Sequence, residues 1–277
     1  MDERADTVLP FTPPSKEPIM SATAPRTFTF ADGTEVDRLG YGAMRLTGQP
    51  SNFGPYPDWE AGVALVREAH DLGVRVFDSA WAYGPEHADR LLGEALEGRD
   101  AFIATKGGVD KPAPGNIVSD GSRDALLRQV DGALANLRRD RIDLFQLHRV
   151  DPAVPIETSV AALEEARADG RIALIGLSNV TREQLDRARA VAPIASVQNR
   201  FNREDGDPEG LVDHTAAEGI AFLPHGPLGA NPMARGAAIE PREGLAWLLA
   251  RSPNVIVIPG TTSIEHLREN VGAWKLI

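Results

Sequence analysis

The 277-residue chain contains no cysteine. That excludes a disulfide scaffold, a thiolate nucleophile and any zinc–sulfur centre. Lysine is nearly as scarce, four residues against 25 arginines, so a lysine in an expensive position calls for a reason. No apolar run approaches the roughly 20 residues that a membrane-spanning helix needs, so no membrane partner is expected. Positive charge is short overall. Twenty-nine Lys and Arg face 40 Asp and Glu, a net charge of −11, which argues against a nucleic-acid partner. The opening MDERADTVLPFTPPSKEPIM lacks the basic and apolar regions of a secretory signal. It reads as a disordered leader, with Met20 as an alternative start. Residues 1–26 are set apart in this way from a folded part, 27–277, and the default location is the cytoplasm.

What the chain does have is alternation. In TFTFADGTEVDRLGYGAM two alternating runs joined by Ala31-Asp32-Gly33 predict a β-hairpin. After it, short apolar strands alternate with amphipathic helices. The strands are read at 38–44, 74–79, 101–106, 142–148, 172–178, 195–199, 220–224 and 255–260. Helices are read in DWEAGVALVREAHDLG, RDALLRQVDGALANLRR and TSVAALEEARADG, the last stopped by Gly170. Eight strands, eight crossovers and no internal linker predict a single (β/α)8 TIM barrel with an N-terminal β-hairpin, near the usual ~250 residues. A doubly wound open sheet would carry a GxGxxG loop after its first strand, and GYGAMRL does not fit that pattern.

In such a barrel, chemistry collects at the C-terminal ends of the strands. Strand two ends at Asp78, with Tyr83 in the loop beyond; strand three ends at Lys106 and strand four at His148. Strand five ends at Ser178-Asn179 and strand six at Gln198. Each has a plainer reading alone: Asp78 as a helix cap, Tyr83 as packing, His148 as a structural histidine. Together on adjacent strands they form a specific set. An ammonium favours phenolate over phenol, and a carboxylate keeps that ammonium charged and aimed. The phenol can then give a proton to an oxygen gaining negative charge, while an imidazole N–H orients the same oxygen. This chemistry suits carbonyl reduction if hydride comes from elsewhere.

At this point the chain resembles the aldo-keto reductases, most closely their bacterial pyridoxal reductase-like branch. The pieces GYGAMRL, FDSAWAYGPEHADRLLGEAL, ATKGG, RIDLFQLHRVD, ALIGLSNV, SVQNRFN, GPLG and IPGTTSIEHLREN run in family order over residues 38 to 274. The resemblance implies hydride transfer from NADPH, rather than NADH, to a small-molecule carbonyl substrate. It assigns Tyr83 as general acid, Lys106 as its partner, Asp78 as the lysine's anchor and His148 as carbonyl orienter. For the cofactor it implies Ser178, Asn179 and Gln198 at the nicotinamide carboxamide, and His225, Gly226 and Leu228 beside the ring. Gly260, Thr261, Thr262, His266, Glu269 and Asn270 would clasp the adenosine end. No metal is implied.

Four departures qualify it. His225 stands where many members carry an aromatic stacking residue. No Lys or Arg occupies Gly260 or His266, where many members meet the 2′-phosphate, and helical geometry turns Arg268 away from the face of His266. The stretch GANPMARGAAIEPREGLAWLLARSP reads as shortened. The chain ends at GAWKLI, where a further tail is expected, which predicts a more open pocket. Trp81 and Arg149 are the candidate substrate contacts; loop packing and pairing with Asp151 are their alternatives. The Gly- and Pro-rich loop 107–121 is expected over the mouth. Two other functions stay open: a Schiff-base lyase working through Lys106, and a regulatory barrel that binds nucleotide without turnover. The oligomeric state is unassigned.

Overall fold

The alternating run near the start forms an antiparallel hairpin, β1 (Thr27–Thr29) and β2 (Glu35–Asp37), with Phe28 opposite Val36. Asp32 closes the turn by accepting from the Thr34 N–H, and Gly33 takes a φ of +89° that a side chain would resist. The computed structural model of the protein describes residues 24–207, 209–229 and 239–277. Residues 1–23 of the leader, and 230–238 of the stretch read as shortened, lie outside the described residues.

Beyond the hairpin the chain runs β3 (Tyr41–Gly42), α1 (Trp59–Asp71), β4 (Val76–Asp78), α2 (His87–Ala95) and β5 (Phe102–Gly107). A second hairpin follows, β6 (Val109–Ala113) and β7 (Asn116–Ser119), then α3 (Arg123–Leu137), β8 (Ile142–Leu147), α4 (Ile156–Ala168) and β9 (Ile172–Ser178). The chain closes with α5 (Arg182–Arg189), β10 (Ser196–Gln198), α6 (Leu211–Ala217), β11 (Ala221–Phe222), α7 (Pro241–Arg251) and α8 (Ile264–Val271). Side-chain caps fix several helix starts: Asp58, Ser122, Thr181 and Ser263 each accept a backbone N–H of the first turn.

Seven strands form one parallel sheet in the order β3-β4-β5-β8-β9-β10-β11. Residues 254–259 hydrogen-bond to both of its edges. Phe222 N–H donates to the Asn254 carbonyl and Ile256 N–H to Phe222, while Gly40 N–H donates to Val257 and Gly42 N–H to Pro259. This segment was expected as a full strand over 255–260, and it forms two isolated bridges, Phe222 with Val255 and Leu39 with Val257. Pro259 has no N–H to extend the ladder. The first strand is likewise shorter than the expected 38–44, because residues 43–45 turn into a short 3₁₀ helix. The 107–121 loop is instead the β6–β7 hairpin, turned at Pro114-Gly115 with Gly115 at φ +75°.

Successive strand side chains point to opposite faces, and that period sorts the core into two. On one face Val76, Ala104, Leu144, Leu174, Ala221 and Ile256 pack together with Phe30 and Val36 of the first hairpin. On the other, Phe77, Ile103, Phe145, Ile175, Val197 and Phe222 pack against the helices. Burying each of these Val, Leu, Ile and Phe side chains contributes about 1.5–3 kcal/mol. Arg38 is fully buried, its guanidinium donating to the carbonyls of Pro25, Leu249, Ser252 and Val255. It thereby ties the chain preceding the first hairpin to the segment that joins both sheet edges.

Candidate active site

Parity places the site. Asp78, Lys106, Gln146, Ser178 and Gln198 each lie two residues beyond a side chain of the helix-free face or share its register, so they emerge on that face at the strand ends. Lys106 is 0% exposed; its ammonium donates to Asp78 Oδ2 at 2.7 Å and to the Ser79 carbonyl at 2.6 Å. The other Asp78 oxygen accepts from Gln198 Nε2 at 2.9 Å and Gln146 Nε2 at 3.4 Å. Burial alone would lower the lysine's pKa, but the Asp78 charge and Tyr83 reverse that, and its pKa is raised. An amine held as ammonium has no lone pair with which to form an imine.

The loop after β4 carries Tyr83 over this pair. It is pinned by the Trp81 N–H to the Lys106 carbonyl at 2.9 Å and by Tyr83 N–H to the Ala80 carbonyl at 2.9 Å. Lys106 Nζ lies 5.2 Å from the phenol ring centroid, and the His148 ring stands edge-on to it at 5.9 Å. The sequence leads one to expect Lys106 to lower the phenol's pKa. The lysine does act in that direction, but burial acts more strongly, and the pKa is raised. His148 is pushed well below its ordinary 6.5, first by burial and then by the charges of Lys106 and Arg149. Its Nδ1 is buried without a hydrogen-bond partner.

These groups open into a cavity of about 790 Å³ at the C-terminal ends of the strands. Asp78, Tyr83, His148, Ser178, Asn179 and Gln198 line it, as do Arg149, His225, Gly226, Leu228 and Gly260. Asn179, in the left-handed region at φ 56°, donates to the His148 carbonyl and to Ser178 Oγ, and its Oδ1 meets His225 Nε2 at 3.0 Å. His225 is lowered to about 4, by burial first and then by Lys106 and Arg200, so it is neutral and donates that bond. Thr261, Thr262, His266, Glu269 and Asn270 lie past the lining, just before and along α8. Arg268 is turned to Glu68, at 2.8 Å.

Trp81, expected as a substrate contact, is not among the residues that line this cavity. Its indole N–H donates to Asp110 Oδ1 at 2.9 Å, which also accepts from Gln129, and its ring packs on Gly132, where a Cβ would approach to 2.4 Å. It anchors the β6–β7 hairpin to α3. Sequence reasoning also passed over Gln146, Lys111, Asn52 and Ile117. Gln146 was within reach, since it sits two residues before His148 on one strand and so shares its face. Lys111 carried the same signal of rarity that singled out Lys106.

Residues 38–244 match the family model described as the Aldo/keto reductase family. The chain is 39% identical to the pyridoxine 4-dehydrogenase of Escherichia coli (strain K12) over 267 residues, covering 90% of this chain and 93% of that protein. It is 36% identical to an uncharacterized oxidoreductase of Schizosaccharomyces pombe, over 86% of this chain and 81% of that one. A thermostable aldo-keto reductase solved with the inhibitor epalrestat superposes with a TM-score of 0.76 at 29% identity, covering 90% of this chain and 94% of that one.

Proposed function

This chain belongs to the aldo/keto reductase family and is an oxidoreductase, and from that premise we propose that it reduces an aldehyde or ketone to an alcohol with NADPH, on a single (β/α)8 barrel spanning residues 27–277. The observation that carries the reading is the buried Lys106–Asp78 pair beneath Tyr83, facing a neutral His148 in one cavity. The barrel reading rests on the likeness to the epalrestat-bound reductase and on the hydrogen bonds from residues 254–259 to both sheet edges.

The residues present suit a nicotinamide cofactor. The Ser178 hydroxyl and the Gln198 amide oxygen stand on adjacent strand ends with a donor and an acceptor for a carboxamide, beside Asn179, whose own amide is bonded to His148, Ser178 and His225. Gly42 and Gly260 approach so closely that a Cβ on Gly260 would come within 2.7 Å of the Gly42 carbonyl, which keeps that part of the lining free of side chains. When bound, the cofactor would supply hydride to the carbonyl carbon. The chain supplies the rest. His148, neutral and lining the cavity, orients the carbonyl oxygen. As negative charge develops on that oxygen, Tyr83 gives up its phenolic proton, and the Lys106 ammonium stabilises the phenolate left behind. Asp78 keeps Lys106 charged and in place, with Gln198 and Gln146 holding the carboxylate.

A Schiff-base role for Lys106 loses support from its pairing, and a regulatory barrel without turnover would leave His148 and Tyr83 converging on one cavity for no purpose. No helix of the described residues is long and apolar enough to cross a membrane, and the proposed site of action is the cytoplasm. The test is a titration with NADPH followed by a panel of aldehydes read at the cofactor's absorbance. Pyridoxal comes first, after the name of the 39% identical relative. Tyr83→Phe should keep NADPH affinity and lose about 10²–10⁴-fold in kcat. Full activity in that variant would overturn the proton path, and no NADPH binding would overturn the function.

A further inference from the structure

The lining of the cavity is electrostatically one-sided. The chain as a whole carries a net −11, yet Asp78 is the only carboxylate among the described lining residues, and Lys106 neutralises it. Lys111 and Arg149 face the same space. Lys111 is 6% exposed, and its ammonium donates to the carbonyls of Ser51 at 2.6 Å and Asn52 at 2.8 Å. No carboxylate pairs with it among the described residues. Alternation along β6 explains why: Val109 and Lys111 line the cavity, while Asp110 points the other way, to Trp81, Gln129 and Arg128. A buried charge met only by carbonyl dipoles is expensive, and it keeps a third N–H to donate.

Arg149 makes no ion pair among the described residues. Asp151, the partner its position in sequence offers, has one oxygen taken by the Gly121 N–H and the other by the Ala153 N–H. The groups matched to the cofactor come from β9, β10, the segment after β11 and residues beyond 258. Lys111 and its carbonyl partners come instead from the hairpin after β5 and the loop after β3. Pinning that loop to the hairpin accounts for two of the ammonium's N–H groups and leaves its charge uncompensated.

We propose that the carbonyl substrate carries an anionic oxygen group, a carboxylate or phosphate, held by Lys111 and Arg149, with Val109 and Ile117 against its apolar body. This rests on the reductase reading above and names the substrate class of that site. The test uses the full chain with 4-formylbenzoate, its methyl ester and 4-formylphenyl phosphate. An anionic aldehyde should exceed the ester in kcat/KM by about tenfold or more, carried by KM, the scale of a partly desolvated charge pair. That ratio should collapse in Lys111→Met and Arg149→Met and recover in Lys111→Arg. Equal kcat/KM for all three aldehydes, or a ratio unmoved in both Met variants, would overturn the proposal. So would a loss of NADPH affinity matching the loss of ratio, since the charges would then serve the cofactor. If no aldehyde turns over, the reductase reading falls, and calorimetry decides the anion site by itself. Binding of 4-formylbenzoate that Lys111→Met abolishes upholds it; no binding to the wild-type chain overturns it.

Discussion

Lys106→Met tests the electrostatics on which the site depends. The Nζ–Oδ2 separation is 2.7 Å and both side chains are buried, Lys106 wholly and Asp78 at 3% exposure. At an effective dielectric of about 20 the attraction across that distance is about 6 kcal/mol, before the cost of taking both ions out of water. Removing the lysine leaves Asp78 with amide donors from Gln198 and Gln146 and no counter-charge. A buried charge stranded in this way costs about 3–5 kcal/mol, within the roughly 5–15 kcal/mol that holds a domain together. The variant should therefore fold with a sharply lower urea midpoint. Lys106→Met combined with Asp78→Asn strands no charge, and it should recover about 2 kcal/mol or more of that loss. Urea unfolding followed by far-UV circular dichroism reads this directly. Equal losses in the single and double variants would refute the account of a charge-balanced pair.

Arg38→Met should destabilise the fold by about 3–5 kcal/mol, because four backbone carbonyls lose their donor at once; Arg38→Lys should recover only part, and urea midpoints compare the three. His148 and His225 are both held neutral, with folded pKa values below the ordinary 6.5 and that of His225 at about 4. Their contribution is present above pH 6.5 and lost as pH falls through the acid range, so stability should drop by on the order of 1–3 kcal/mol between about pH 7 and pH 4.5, and His225→Gln should flatten that drop.

The polar strand ends were legible because they obey two local rules. An apolar strand that terminates in Asp, Lys or His has to present that group somewhere, and the period of two decides on which face. Asp78, Lys106 and His148 needed nothing more. The β6–β7 hairpin was not legible. Val109-Asp110-Lys111, between Gly107-Gly108 and Pro112, and Ile117-Val118, beyond Pro114-Gly115, are too short for a period of two to stand out from a loop rich in turn residues. The role of Trp81 was hidden for a different reason. Its partner Asp110 is 29 residues away, and Gln146 is 68 residues from Asp78. Hydrogen bonds over such separations are set by the packing of the sheet and leave no local pattern in the chain.

The phenol shows the same division within a single group. Sequence reasoning supplied the sign of one neighbour's effect, that a lysine lowers the pKa of a tyrosine beside it, and Lys106 does act that way. It could not supply the competing magnitude, because burial depends on how the loop after β4 folds Tyr83 down over the strand ends. Burial wins, and the phenol is held protonated throughout the neutral range. That outcome favours the proposed direction of reaction. A proton donor must carry its proton until the acceptor oxygen becomes basic, and an oxygen receiving hydride-derived charge becomes far more basic than any phenolate. In the proposed reaction Lys106 would matter most after the proton has left, when a buried phenolate would otherwise stand uncompensated. The lysine would then stabilise the charged product of the proton transfer, and Asp78 would keep it an ammonium when that moment comes.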